Sequence, residues 1–129
     1  MRFALTGATW LIGSHIMTEL VSHGHDVTAL VRDDKQAAIV ADRGANAAVV
    51  DLHDRPAVTK AFSDADGAVH TASPGDATSA DLDAAVVDAA VEAYSSTGKP
   101  YAQISGLWVF GSNLSITEES PFDAPAPVA

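Results

Sequence analysis

The glycines near the start of the chain have the clearest chemical spacing. Gly7 and Gly13 follow a short apolar run, Arg2 to Leu5, and stand at the beginning of a predicted helix, Leu11 to Ser22. The first glycine permits a tight turn, and the second lets the helix pack closely on the strand. This pattern is typical of a turn that binds the pyrophosphate of a dinucleotide at a helix N-terminus. The candidate phosphate-binding residues are Gly7, Thr9, Trp10, Leu11, Ile12 and Gly13.

Trp10 stands where this pattern has its middle glycine. A glycine at this place lets the backbone approach a phosphate closely, whereas an indole crowds the same space. We therefore expect Trp10 to weaken dinucleotide binding if its side chain faces the phosphate. The alternative is that the side chain packs into the protein, in which case its removal would open a cavity.

Apolar segments of strand length alternate with segments of helical period, which is the pattern of a parallel sheet covered by helices. Gly24 and Gly44 mark helix ends, Asp33 and Asp34 can cap a helix, and Pro56 suits a first turn. The later predicted strands are His25 to Arg32, Ala47 to Asp51, Ala68 to Ala72 and Tyr101 to Phe110. The later predicted helices run from Asp33 to about Arg43, from Arg55 to Ser63 and from Ala80 to Ser96. The sequence therefore predicts the α/β class.

Length and composition limit the chain to one domain and exclude some classes of binding partner. With 129 residues, 47% of them hydrophobic, the chain can bury one core but not two ordinary ones. We expect a dinucleotide-binding domain over residues 1–111 and a proline-rich loop or tail over 112–129. A formal net charge of -10 argues against nucleic acid and anionic membranes as partners. No apolar stretch approaches membrane-spanning length, so we expect a soluble, cytoplasmic protein.

Four motifs together resemble the short-chain dehydrogenase/reductase superfamily, in its extended or atypical branch of epimerases, dehydratases and reductases. They are TGATxxIGSH at 6–15, VxDL at 49–52, DGAVHTAS at 66–73 and ISGLWVFG at 104–111. The resemblance covers essentially the whole chain. It implies a Rossmann-type, doubly wound sheet of about five strands in the order 3-2-1-4-5, which binds NAD or NADP at the carboxyl ends of the strands.

The resemblance also implies where the adenosine of the cofactor lies. Arg32, at the end of the second strand, is expected beside the ribose, where an arginine suits the 2′-phosphate of NADP. Asp33 beside it could instead bond the 2′-hydroxyl of NAD, and Arg32 could be an ordinary solvated charge. NADP is therefore the preferred cofactor and NAD the alternative. In similar proteins the residues that match Asp51 and Leu52 meet the adenine.

Two further sets of residues follow from the resemblance. Ser105 matches the catalytic serine or threonine of the family, unless the register places Gly106 there. The backbone of the fourth strand is expected to pass under the cofactor at His70, Thr71 and Ala72. No metal site is expected, because the two local clusters of histidine and aspartate match no ligand spacing.

The catalytic pair of the family is missing. In that family a lysine one helical turn after a tyrosine lowers the pKa of the phenol, which then moves a proton to or from the substrate. The residues four positions after Tyr94 and Tyr101 are Gly98 and Ser105, so neither tyrosine has this partner. The chain resembles a family member truncated before its catalytic helix and substrate-binding part. Alone it is predicted to be inactive.

Two classes of function remain open. The chain is either the NAD(P)-binding part of an oxidoreductase or epimerase completed by another chain, or a non-catalytic dinucleotide-binding or interaction module. The fifth strand is apolar and would form an edge of the sheet, and the helix over Leu82 to Ala93 has an apolar face. Because such surfaces favour association, we expect a homo-oligomer or a completing chain.

Overall fold

The computed structural model describes residues 1–104 and 117–121 as a parallel sheet with helices on both faces. The strands are β1 (Arg2–Thr6), β2 (Asp26–Val31), β3 (Asn46–Val49), β4 (Gly67–His70) and β5 (Tyr101–Gln103). The helices are α1 (Leu11–Ser22), α2 (Asp34–Asp42), α3 (Arg55–Ser63) and α4 (Ser79–Tyr94). The sheet order is β3-β2-β1-β4-β5 and every described pairing is parallel. The predicted Rossmann-type order is confirmed.

Two of the described helices start with a side-chain cap, and the sequence indicated the cap of α2. The Asp33 carboxylate accepts a hydrogen bond from Gln36 N at 2.9 Å and so caps α2. Asp54 caps α3 in the same way through Ala57 N, and a proline occupies the first turn of that helix. These local interactions end the preceding loops at defined residues, which places the carboxyl ends of β2 and β3 beside one another.

Two hydrophobic cores lie on opposite faces of the sheet. One packs α3 and α4 against the sheet, with Phe62, Val86 and Ala89 fully buried. The other packs α1 and α2 against the opposite face, with Met17 and Val40 fully buried. Burial of a side chain of this size contributes roughly 1.5–3 kcal/mol. The two cores therefore hold the sheet rigidly from both sides, and its carboxyl edge stays open.

Strands β3 and β4 end two residues earlier than predicted, and β2 ends one residue earlier. The pairing of β4 with β1 ends at His70 opposite Thr6, after which the amides of Thr71 and Ala72 turn to the Thr6 side chain. The pairing of β3 with β2 ends at Val49. As a result, the candidate residues Asp51, Leu52, Thr71 and Ala72 lie in loops after the strands.

The predictions for the C-terminal part are only partly addressed. The described part of the fifth strand is Tyr101–Gln103, and residues 105–110 of its predicted length lie outside the described residues. Of the predicted tail, residues 117–121 are described, with a turn in which Ser120 N donates to Thr117 O at 3.0 Å. None of the helices described here is long and apolar enough to cross a membrane.

Candidate functional site

A cleft of about 440 Å³ opens where β1, β2, β3 and β4 end. In an open α/β sheet, ligands bind outside the carboxyl ends of the strands where the strand order reverses. This volume lies in the usual range for small-molecule sites. The cleft is lined by the turn after β1, the ends of β2 and β3 with the loops that follow them, residues of the β4–α4 loop, and the first turns of α2 and α4.

The turn after β1 has the close packing that its glycines predict. Gly7 has a φ of 73°, and a Cβ atom there would lie only 2.7 Å from Ala72 N. A Cβ at Gly13 would collide with the Gly7 carbonyl and lie 2.7 Å from Thr71 Oγ1. Both positions therefore require glycine, because β1, α1 and the end of β4 meet there with no space for a side chain.

Trp10 is the N-cap residue of α1 and its side chain lines the cleft. Its φ of -97° lies in the region that every residue adopts, so the backbone does not require a glycine. Its amide donates to Gly7 O at 3.1 Å, which closes the turn. Trp10 is 46% exposed, so its side chain is not packed into the core. The tight turn is thus intact, and only the bulk of the indole distinguishes it from a glycine turn.

The N-terminus of α1 offers a favourable position for an anion. The first backbone N–H groups of a helix have no partners within the helix, and the helix dipole places partial positive charge there. The first turn of α1 contains no acidic residue that would offset this charge. The turn therefore retains the electrostatics of a phosphate site, with Trp10 at its edge.

At the end of β2, a basic and an acidic side chain have different surroundings. Arg32 is exposed and lines the cleft, and its amide donates to Gln36 Oε1 at 3.1 Å. None of the ion pairs among the described residues involves Arg32. Asp33 does not line the cleft, and one oxygen of its carboxylate caps α2. The guanidinium is therefore available to an anionic group in the cleft.

The loop after β3 supplies the wall next to Arg32. Asp51 and Leu52 both line the cleft, and Asp51 Oδ1 accepts a hydrogen bond from His53 N at 2.9 Å. This bond orders the loop while the other carboxylate oxygen stays available as an acceptor. The wall thus combines an apolar surface with an acceptor, which suits a purine ring with an exocyclic amino group.

Beneath the turn lies a polar triad made of Thr6, His70 and Asp83. Thr6 Oγ1 accepts hydrogen bonds from Thr71 N at 3.0 Å and Ala72 N at 3.1 Å. Because a hydroxyl has two lone pairs and one proton, its proton is donated to His70 Nδ1, 2.6 Å away. His70 therefore carries its proton on Nε2 and donates it to Asp83 Oδ1 at 2.8 Å.

The polar triad has the order hydroxyl, imidazole, carboxylate that serine hydrolases use. Thr6 is fully buried, however, and both of its lone pairs already accept hydrogen bonds. Its hydroxyl cannot reach a substrate as a nucleophile. The triad instead fixes the backbone after β4 directly under the glycine turn, and this backbone is the surface against which Gly7 packs.

The two tyrosines of the chain are not activated as acids or bases. Burial, followed by the nearby charge of Asp66, raises the pKa of Tyr94 to about 12. Burial, followed by the charge of Asp83, raises the pKa of Tyr101 to about 12. Both shifts hold the proton on the phenol, whereas a catalytic tyrosine of this kind needs a lowered pKa.

The structure brings part of the predicted site together. Among the predicted residues, those that line the cleft are Gly7, Thr9, Trp10, Arg32, Asp51, Leu52 and Ala72. Five others lie beside or beneath the turn rather than in the lining, namely Leu11, Ile12, Gly13, His70 and Thr71. The predicted catalytic residue, Ser105, and its alternative, Gly106, lie outside the described residues.

Sequence analysis missed several lining residues. They are Ala8, Leu30, Val31, Gln36, Val50, His53, Ser73, Pro74, Thr78 and Leu82. Gln36 carried a usable signal, because it stands at the third position after the predicted cap Asp33, where a side chain reaches back to the helix start. Thr78 and Leu82 lacked such a signal, since only the path of the β4–α4 loop brings the start of α4 to the cleft.

Comparison with known proteins agrees with this geometry. A family model described as NAD(P)H-binding matches residues 7–100. An uncharacterized protein of Schizosaccharomyces pombe is 34% identical over 117 residues, which are 88% of this chain and 40% of that protein. The chain spans less than half the length of the first curated relatives that it matches.

Two solved structures show the same fold. An NADPH-dependent quinone oxidoreductase of Escherichia coli, in complex with NADPH, has a TM-score of 0.60 and 26% identity, over 70% of this chain and 33% of its own. A UDP-glucose 4-epimerase of Stenotrophomonas maltophila with bound NAD has a TM-score of 0.77 and 20% identity, over 97% of this chain and 43% of its own. The second likeness concerns the fold alone.

Proposed function

The chain belongs to the NAD(P)H-binding family, and from this premise we propose that it is the NADP-preferring cofactor domain of an oxidoreductase, epimerase or dehydratase. The observation that carries the preference is the contrast at the end of β2. Arg32 lines the cleft and has no ion-pair partner among the described residues, while Asp33 lies outside the lining and caps α2 through one oxygen. A 2′-phosphate would therefore meet a guanidinium, and a 2′-hydroxyl would lack its usual carboxylate.

The cleft residues suit such a ligand. The tight packing at Gly7 and Gly13 keeps the turn narrow enough for phosphate oxygens to approach backbone amides. Asp51 would accept a hydrogen bond from the adenine amino group, and Leu52 would pack against the ring. When bound, the nicotinamide cofactor supplies or accepts a hydride. The described residues contribute binding and orientation to that chemistry.

We expect Arg32→Ala to abolish the preference for NADP. Hydrogen bonds to charged groups contribute about 1.5–3 kcal/mol each, so NADP affinity should fall by roughly 10- to 100-fold while NAD affinity changes little. Calorimetric titration of both cofactors is the measurement. Arg43→Ala is the matched control, because Arg43 is an exposed residue at the other end of α2. Equal affinities of the unsubstituted chain for NAD and NADP would contradict the proposal.

The proposal also includes the domain boundaries along the chain. Residues 1–111 would form the dinucleotide-binding domain, with 112–129 as a loop or tail, and Ser105 would be the catalytic serine that the family resemblance implies. A non-catalytic binding module is the second candidate, and the raised pKa of both tyrosines favours it for this chain alone. Cofactor binding is common to both candidates, and both leave the isolated chain inactive, so turnover in the presence of a completing chain separates them.

We further propose that the chain associates with itself through α4. The apolar face predicted over Leu82 to Ala93 packs into the core and is not free for association. The proposed contact is therefore another face of the helix, where Val87 and Val91 lie one turn apart and are 36% and 58% exposed. We expect sedimentation at roughly tens of micromolar to show a species larger than a monomer. Val91→Glu should shift it to the monomer, whereas Ile39→Glu on α2 should not. A monomer without any substitution would overturn this part of the proposal.

A further inference from the structure

Trp10 lies in the part of the cleft that the glycine turn and the start of α1 form. It lines the cleft together with Gly7, Ala8 and Thr9, and nearly half of its surface is exposed. It also occupies the N-cap position of α1 without a capping hydrogen bond from its side chain, so it adjoins the helix end whose free N–H groups attract phosphate. An indole at this place adds bulk beside the approach to those groups.

The adenosine side of the same cleft has no comparable obstruction. Arg32, Asp51 and Leu52 line it together, and Gln36 joins them from the first turn of α2. Arg32 is exposed and offers a charged donor, while the walls nearby are apolar and include Leu30 and Val50. This half of the site can therefore hold a nucleoside and a phosphate without any contribution from the turn.

We propose that Trp10 makes the cleft select adenosine nucleotides that end at the 5′-phosphate over complete dinucleotides. The inference rests on the proposed function, because it assigns the same cleft to an adenosine ligand held by Arg32. A terminal 5′-phosphate can stay at the rim of the turn, on the adenosine side of the indole. A pyrophosphate bridge must continue past the indole, which then has to move or be displaced, and the dinucleotide gains less from its second half.

Adenosine 2′,5′-bisphosphate and NADP⁺ distinguish these cases, because they share the adenosine and its 2′-phosphate but not the pyrophosphate bridge. Calorimetric titration of the 129-residue chain should give the bisphosphate an affinity equal to or higher than that of NADP⁺. Trp10→Gly should tighten NADP⁺ binding by at least about tenfold and change bisphosphate binding by less than about threefold. Trp10→Phe keeps an aromatic ring at this position and should keep the original order of affinities.

Melting temperatures of the variants show whether the fold is intact, and Trp10→Ala removes the same bulk without adding a glycine. If NADP⁺ binds at least about tenfold more tightly than the bisphosphate before any substitution, and Arg32→Ala weakens it, the inference falls and the proposed function stands. If Trp10→Gly and Trp10→Ala shift both ligands equally, the inference also falls. If neither ligand binds to any folded variant, the proposed function falls with it.

Discussion

Thr6→Val is expected to lower the free energy of unfolding by about 3 kcal/mol or more, a large share of the stability of a domain this size. Valine has nearly the shape of threonine but no hydroxyl. The substitution therefore leaves three groups without their partner, namely Thr71 N, Ala72 N and His70 Nδ1. A buried polar group that loses its only partner costs about 1–3 kcal/mol. This cost applies in full to His70, which is buried, and in part to the two amides, whose residues are half-buried.

Urea unfolding of Thr6→Val and Thr6→Ser measures this effect. Thr6→Ser keeps the hydroxyl and removes one methyl group, so its cost should stay near 1 kcal/mol. The difference between the two variants isolates the hydrogen bonds from the packing of the side chain. Equal losses of stability in the two variants would show that the methyl group, and not the hydroxyl of the polar triad, stabilises the turn.

The purified chain is expected to show no oxidation of NADPH above the background rate with a small aldehyde or ketone. General acid–base catalysis raises the rate of such reactions by about 10²- to 10⁴-fold. Neither tyrosine of this chain has the lowered pKa that this role needs. Tyr94 and Tyr101 have pKa values raised to about 12 and lack a lysine four residues later. At neutral pH both phenols hold their protons too strongly to exchange them with a substrate.

The assay follows NADPH absorbance at a high concentration of the purified chain. The control is the same reaction mixture without the protein, which gives the background rate. Because the raised pKa values lie far above neutrality, moving the assay from pH 6 to pH 9 should not produce activity. Steady oxidation that Ser105→Ala abolishes would contradict this prediction and would assign catalysis to residues outside the described part of the chain.

The fold could be predicted from the sequence because local signals agreed with the alternation of elements. Asp33 was predicted to cap α2 and does so, and Gly7 and Gly13 marked a turn that admits no other residue. The strand order followed from the family resemblance and is confirmed. The cap and the turn depend on residues close together in the sequence, and the strand order depends on a topology shared with the family. Both can be read from one sequence.

The site was less predictable because its details depend on contacts between distant segments. The prediction for His70 concerned its backbone, and it did not anticipate that the side chain is buried and links Thr6 to Asp83. The sequence separates these partners, and no periodicity indicates that they meet. The orientation of Trp10 was likewise left open by the sequence, since it depends on how α1 sits against the ends of the strands.

The polar triad constrains how the sequence of this protein can evolve. Its three members lie on β1, β4 and α4, and each hydrogen bond assigns a direction to the next. The effect of a substitution at Asp83 on stability therefore depends on whether Thr6 and His70 are unchanged. In descendants of this protein, the three positions should covary as one unit, and the route by which any of them changes should depend on which changed first.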